Sequence, residues 1–211
     1  MTAPVPGPGY DANMGTPPIQ PNLITLMRLP LAPIAVAFLV LVPETEWWGV
    51  AVALGLSITL EFTDAADGYV ARKYNAVTPF GKLFDPFGDA FARYTLFMGL
   101  LAIGYADLWM LLVIFYRDAS ISFFRSIAAS RNKVVAARIS GKIKAIIQAI
   151  GINVILAMLL LMRLMPEFDY LAVIPWWLMA FITVTTGLTL FDYLYGMWPV
   201  LRAAWNNEPT D

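Results

Sequence analysis

Neither cysteine nor histidine occurs in the 211 residues, and charged side chains make up only 14% of the chain. Without cysteine there are no disulfides and no thiolate chemistry; without histidine there are no imidazole bases and no nitrogen-ligated metal sites. Acid–base or metal chemistry therefore falls mainly to carboxylates. A net charge of −1 gives a nucleic-acid partner no electrostatic support. Soluble domains average about 25% charged residues, whereas this chain is 59% hydrophobic. So little polar surface cannot cover a molecule in water, and lipid is the expected solvent.

The first 21 residues contain no Lys or Arg but hold Pro4, Pro6, Pro8, Pro17, Pro18 and Pro21 with Gly7, Gly9 and Gly15. A secretory leader begins with basic residues, so this segment reads as a mobile Pro/Gly-rich tail, 1–21. A polar tail at 206–211 closes the chain. Between them, 22–205 reads as one helical membrane domain. About 20 apolar residues cross a bilayer as a helix, and six stretches qualify: 22–42, 48–72, 80–104, 107–130, 138–163 and 170–200. Breaks are expected at Pro43, Thr78-Pro79, Asp107, Arg131-Asn132-Lys133 and Pro166, and Asn22 is suited to cap the first helix. The expected fold is an all-α integral membrane protein with six transmembrane helices.

Charge sets the orientation. With the N-terminus in the cytoplasm, one side carries Arg72, Lys73, Lys82, Arg131, Lys133, Arg138, Lys142, Lys144 and Arg202. The other carries Glu44, Glu46, Asp107, Glu167 and Asp169, with Arg163 as its basic residue. That bias puts both termini in the cytoplasm. The Trp47-Trp48 and Trp176-Trp177 pairs read as belt residues at the outer boundary.

Acids inside apolar spans cost roughly 2.5–3.5 kcal/mol each on insertion scales, yet Asp64, Asp67, Asp85 and Asp89 all lie there. Spacings of three and four residues put each pair on one helix face. A short connection makes the second and third helices antiparallel neighbours, so four carboxylates converge near the cytoplasmic interface. Four clustered anions repel strongly, so either most are protonated or cations neutralise them. An all-oxygen donor set suits Mg²⁺, Mn²⁺ or Ca²⁺, and two such ions can clamp a phosphoryl group. Gly68, Ala71 and Gly81 allow close approach of a helix or ligand, and Arg72 can reach a phosphate or a carboxylate.

The segment D64-A-A-D67-G68-Y-V-A71-R72, then eight residues, then G81-K-L-F-D85-P-F-G-D89 resembles the signature D-x2-D-G-x2-A-R-x8-G-x3-D-x3-D of the CDP-alcohol phosphotransferases at every fixed position. The resemblance implies six membrane helices, a homodimer and an active site at the cytoplasmic ends of helices 2 and 3. It implies two divalent metal ions (Mg²⁺ or Mn²⁺) held by Asp64, Asp67 and Asp85. Asp89 is then the general base, also touching metal, with Gly68, Ala71, Arg72 and Gly81 along the CDP moiety. Asn22, Thr25 and Arg28 either reach the nucleotide phosphates from the first span or cap and anchor that helix. Arg93, one turn past Asp89, is placed to pair with Asp89 or with Glu61.

A second, basic site is expected beside the acids, drawn from Arg117, Arg125, Arg138, Lys142 and Lys144, with Arg131 and Lys133 explained by the orientation bias alone. Cations near a phosphoryl-transfer centre suit an anionic acceptor. Arg117 and Asp118 form a candidate ion pair within the fourth span. The segments Y116-R117-D118 to S130, V135 to Q148, N22-L-I-T25-L-M-R28 and F191-D192-Y193 look like phosphatidylglycerophosphate synthases, with departures at Ala90 and Ala145. That implies CDP-diacylglycerol and sn-glycerol 3-phosphate as substrates, in the plasma or inner membrane. Inositol phosphate, serine or phosphatidylglycerol are alternative acceptors for the same chemistry. A cation or proton transporter is the rival class, but its acids belong near the midplane between repeats, and no repeat is visible here. Asp192 and Tyr193 are expected to make structural hydrogen bonds to a neighbouring helix.

Overall fold

Six long helices follow one another in the computed structural model: α1 (Pro21–Leu41), α2 (Trp47–Lys73), α3 (Pro79–Ala102), α4 (Leu108–Ser130), α5 (Ile139–Leu164) and α6 (Val173–Trp205). A 3-10 helix, Pro166–Leu171, precedes α6. The structure describes residues 21–73, 79–130 and 139–206, and their side chains except at 21–25, 64–73, 79–83, 85 and 169. No strand occurs among the described residues. The N-terminal tail to residue 20, the break at 131–133, Arg138 and the end from residue 207 lie outside them.

The helices fall within a few residues of the apolar stretches. The last one differs most: a 3-10 turn comes first and α6 then runs on to Trp205. Helix α1 is already under way at Pro21, a residue whose fixed φ and missing N–H suit a first turn. Asn22 therefore lies inside that turn instead of capping it. Helix α3 ends in a Schellman motif: the Tyr105 N–H bonds to the Leu100 carbonyl at 2.9 Å and the Gly104 N–H to that of Leu101 at 3.1 Å. Gly104 takes φ +82°, which only a residue lacking Cβ adopts without strain. By length and composition α5 and α6 are apolar enough to cross a membrane, while α1 and α2 carry shorter apolar runs, Leu26–Leu41 and Trp47–Thr63. Helix α4 is interrupted by Arg117, Asp118 and Arg125.

The packing differs from the expected pairing in one respect. Helix α1 lies along both α2 and α3, which touch each other sparsely over the described residues. A short connection fixes opposite directions but not side-by-side contact, and α1 fills the space between the two. Helix α2 also packs on α5, while α4 and α5 both pack on α6. Leu39, Val50, Phe97, Leu100, Met110 and Ile155 are among the buried residues of the main core, and Ile121, Ala128, Tyr193 and Met197 form a smaller one between α4 and α6.

Glycine permits the close approach of α2 to the end of α1. A Cβ on Gly49 would stand 2.6 Å from Val42 Cβ and 2.8 Å from the Phe38 carbonyl oxygen, whereas one on Gly55 would meet nothing within 4 Å. The Phe38 oxygen is backbone and cannot rotate away. Gly49→Ala is therefore expected to destabilise the α1–α2 pair by about 1–3 kcal/mol. Thermal unfolding of solubilised protein checks this: its midpoint should fall for Gly49→Ala and hold or rise for Gly55→Ala, where alanine simply improves helix propensity.

Candidate active site

Asp64 and Asp67 lie in the last turns of α2, and Asp85 and Asp89 in the first turns of α3. The backbone thus carries all four aspartates at the ends of these helices that the 74–78 connection joins. The side chains of Asp64, Asp67 and Asp85, and those of Gly68, Ala71, Arg72, Gly81, Asn22 and Thr25, lie outside the described residues. Among the described residues no group of three acids is assembled to hold a metal ion.

Asp89 is described in full, and it is clamped. Arg28 Nη1, from α1, donates to Asp89 Oδ1 at 2.7 Å. Arg93 Nη2, one turn further along α3, stands 3.3 Å from Asp89 Oδ2. Of the two partners open to Arg93 from its position, Asp89 is the one it takes. Arg28 has 2% of its side chain exposed, against 26% for Asp89. Leu60, Glu61, Ala92 and Leu96 complete the recess around these three charges. Arg28 reaches this point because α1 wedges between α2 and α3.

The next residue on α3 opens a second cluster. The Tyr94 hydroxyl donates to Asp118 Oδ2 at 3.0 Å. Lys144 Nζ, from α5, bonds both Asp118 oxygens at 2.8 and 2.7 Å. Arg117 Nη1 donates to Asp118 Oδ1 at 2.8 Å, so the ion pair expected from the sequence is present. Arg117 Nε donates to Thr189 Oγ1 on α6 at 2.8 Å, and its Nη2 is buried with no hydrogen-bond partner among the described residues. Three helices thus meet at one carboxylate, and Arg117 joins α6 to them through Thr189. Arg93 and Tyr94 are consecutive on α3, one facing Asp89 and the other bonding Asp118, so the two clusters adjoin.

The remaining cations spread along the same end. Arg125 Nε donates to the Tyr193 hydroxyl at 2.8 Å, a hydrogen bond between α4 and α6 of the kind expected for Tyr193. The Tyr193 ring is fully buried beneath it. Lys142 is exposed at the start of α5. Arg138 lies outside the described residues. Sequence reasoning did not find Tyr94 or Thr189. Both are neutral hydrogen-bonding residues in apolar helices, and neither type of residue signals a site by itself.

A family model described as CDP-alcohol phosphatidyltransferase matches residues 19–188. The chain belongs to this family. Over 196 residues it is 34% identical to a Bacillus subtilis (strain 168) protein named CDP-diacylglycerol--glycerol-3-phosphate 3-phosphatidyltransferase, covering 87% of this chain and 97% of that one. A Pseudomonas fluorescens protein of the same name is 30% identical over 194 residues, 90% of this chain and 92% of its own length. A Mycobacterium tuberculosis (strain H37Rv) protein named probable phosphatidylglycerophosphate synthase is 30% identical over 132 residues, 63% of each chain. Enzymes of the family generally depend on a divalent metal.

Asp118 is the anchor of its cluster. Removing one partner of a buried pair strands the other charge. Asp118→Ala leaves Lys144 and Arg117 facing each other without a counter-charge and is expected to cost on the order of 3 kcal/mol, read as a lower unfolding midpoint. Thr189→Val, which removes a hydrogen bond donated by the charged Arg117 guanidinium, should cost about 1.5–3 kcal/mol.

Proposed function

We propose that this chain is a phosphatidylglycerophosphate synthase that transfers the phosphatidyl group of CDP-diacylglycerol to sn-glycerol 3-phosphate and releases CMP. The observation that carries the reading is the continuity of the two clusters. A carboxylate suited to take a proton, Asp89, lies five residues before Tyr94 on α3, and Tyr94 borders a buried cation cluster suited to a phosphate. The names of the full-length relatives support the same acceptor.

The donor set fits a hard divalent cation. Four aspartates sit at two joined helix ends, and the chain has no His or Cys to compete for softer metals. Asp64, Asp67 and Asp85 would hold two such ions, Mg²⁺ or Mn²⁺, with Asp89 at their edge. When bound, they supply charge neutralisation to the diphosphate and to the departing CMP. Gly68, Ala71 and Gly81 let the nucleotide lie against backbone, and Arg72 with Asn22 and Thr25 offers polar contacts to it. Arg117, through its unpartnered Nη2, with Lys144, Arg125, Lys142 and Arg138 forms the acceptor-phosphate side. Charge-assisted contacts of this kind orient the acceptor. Asp89 takes the proton of the acceptor hydroxyl as its oxygen bonds to the lipid-proximal phosphorus, and the bond from that phosphorus to the CMP oxygen breaks.

The domain is taken as residues 22–205, embedded in the bilayer with six spans, both termini and the active site facing the cytoplasm. Its polarity supports this. Arg28, Arg117, Gln148, Thr183 and Thr186 are buried, while Phe181, Val184, Leu188 and Phe191 form an exposed apolar stripe along α6. Charged and polar groups inside with apolar groups outside is the arrangement lipid imposes. Outer apolar faces of this kind also suit a homodimer.

Purified protein assayed with CDP-diacylglycerol and a panel of acceptors tests the function. CMP release should require sn-glycerol 3-phosphate, stop on chelation and return with Mg²⁺ or Mn²⁺. Asp89→Asn should leave only a trace of turnover, detectable with radiolabelled substrate, while keeping CDP-diacylglycerol binding. Release driven equally well by serine or inositol phosphate would reject the acceptor, and full turnover in Asp89→Asn would reject the base. Arg125→Gln removes one charge-assisted contact worth about 1.5–3 kcal/mol. The KM for sn-glycerol 3-phosphate should rise roughly 10- to 150-fold, with the KM for CDP-diacylglycerol unchanged.

A further inference from the structure

Arg28 is buried to 1% of its surface, and its guanidinium lies in a recess whose other walls include Leu60, Ala92 and Leu96. A guanidinium this deep is poorly placed to serve first as a contact for a diphosphate arriving at the helix ends. Its Nη1 is engaged with Asp89 Oδ1 at 2.7 Å. Arg93, within α3 itself, stands 3.3 Å from the other oxygen of the same carboxylate. One contact comes from a neighbouring helix and one from the following turn, each to a different oxygen, so the carboxylate plane is fixed in rotation and tilt. Among the described contacts each oxygen meets one cation, and the Asp89 side chain keeps 26% of its surface exposed.

We infer that Arg28 is a positioning residue. It holds Asp89 at the angle from which that carboxylate meets the acceptor hydroxyl, and it acts on the reaction through Asp89 instead of by binding the CDP-lipid. The inference rests on the reading of Asp89 as the base. The planar guanidinium fork suits the task, because it fixes a direction, which the rotating ammonium of lysine does not. A misplacement of about 1 Å in a reacting group can cost roughly 100-fold in rate. The effect therefore belongs in kcat, with substrate binding spared.

The test compares Arg28→Gln and Arg28→Lys with the unaltered enzyme, loaded with metal. It measures kcat for CMP release at saturating substrates, KM for each substrate, and equilibrium binding of radiolabelled CDP-diacylglycerol in mixed micelles. For Arg28→Gln the expected result is a fall in kcat of roughly 100-fold, with CDP-diacylglycerol affinity kept within threefold. Arg28→Lys, which keeps the charge, should fold even where the glutamine variant does not. It should recover part of kcat at the same affinity. In the Asp89→Asn background, adding Arg28→Gln should slow the residual radiolabel turnover by no more than twofold. A tenfold loss of CDP-diacylglycerol affinity with kcat at saturation preserved would overturn the inference and make Arg28 a substrate ligand. Unchanged kcat in both single variants would overturn it too, as would an additive loss in the double variant. Failure of the base reading looks different, since Asp89→Asn would then turn over normally whatever Arg28 does.

Discussion

A charge inside an apolar helix bundle persists only with a counter-charge beside it, and two carboxylates on neighbouring helices meet that requirement here. Asp89 answers Arg28 and Arg93, and Asp118 answers Lys144 and Arg117. Isolated, any of these groups would cost several kcal/mol at such depth. Paired, they dictate which helices come together. The Arg28–Asp89 bond requires α1 to lie against the start of α3. The Asp118 contacts draw α3, α4 and α5 to one point, and Arg117 extends the set to α6 through Thr189. Polar groups that a stable core would gain little from are thus concentrated around two carboxylates. The outward faces are left to apolar side chains such as Phe181, Leu188 and Phe191.

How much of this was legible in the sequence depends on the range of each interaction. The six helices were readable because each is a long apolar run ended by Pro, Gly or a charged cluster, signals that act within a few residues. The placing of four aspartates at the two joined helix ends was readable on the backbone because their spacing is local to two helices and an intervening short connection. The Arg117–Asp118 pair was visible as two adjacent charges in an otherwise apolar stretch. Arg28 and Asp89, by contrast, are 61 positions apart, and nothing in either segment names the other. The wedge of α1 between α2 and α3 was missed for a related reason. Loop length constrains direction, while adjacency is decided by side-chain volumes at close approaches such as Gly49 against Val42. Tyr94 and Thr189 were invisible because a neutral hydrogen-bonding group in an apolar helix has many uses and no periodic signal.

Helix geometry explains how one element can serve both halves of the proposed reaction. Consecutive residues of an α-helix point about 100° apart, since 3.6 residues make a turn. Asp89 and Arg93, four positions apart, therefore share a face, and that face meets Arg28 on α1. Tyr94, one position on, looks around the helix to Asp118 on α4, which in turn holds Lys144 of α5. A single step along α3 thus turns the chain from the carboxylate that would take the proton to the cations that would hold the acceptor's phosphate. The separation between the proposed base and the proposed phosphate anchor would then be set by how α3 packs against α4 and α5 instead of by loops. Small acceptors in which a hydroxyl and a phosphate are a few bonds apart fit such a fixed spacing, and larger ones must place their hydroxyl elsewhere. On this geometry acceptor choice depends on the register of α3 against α4 and α5 as much as on the identity of the cations themselves.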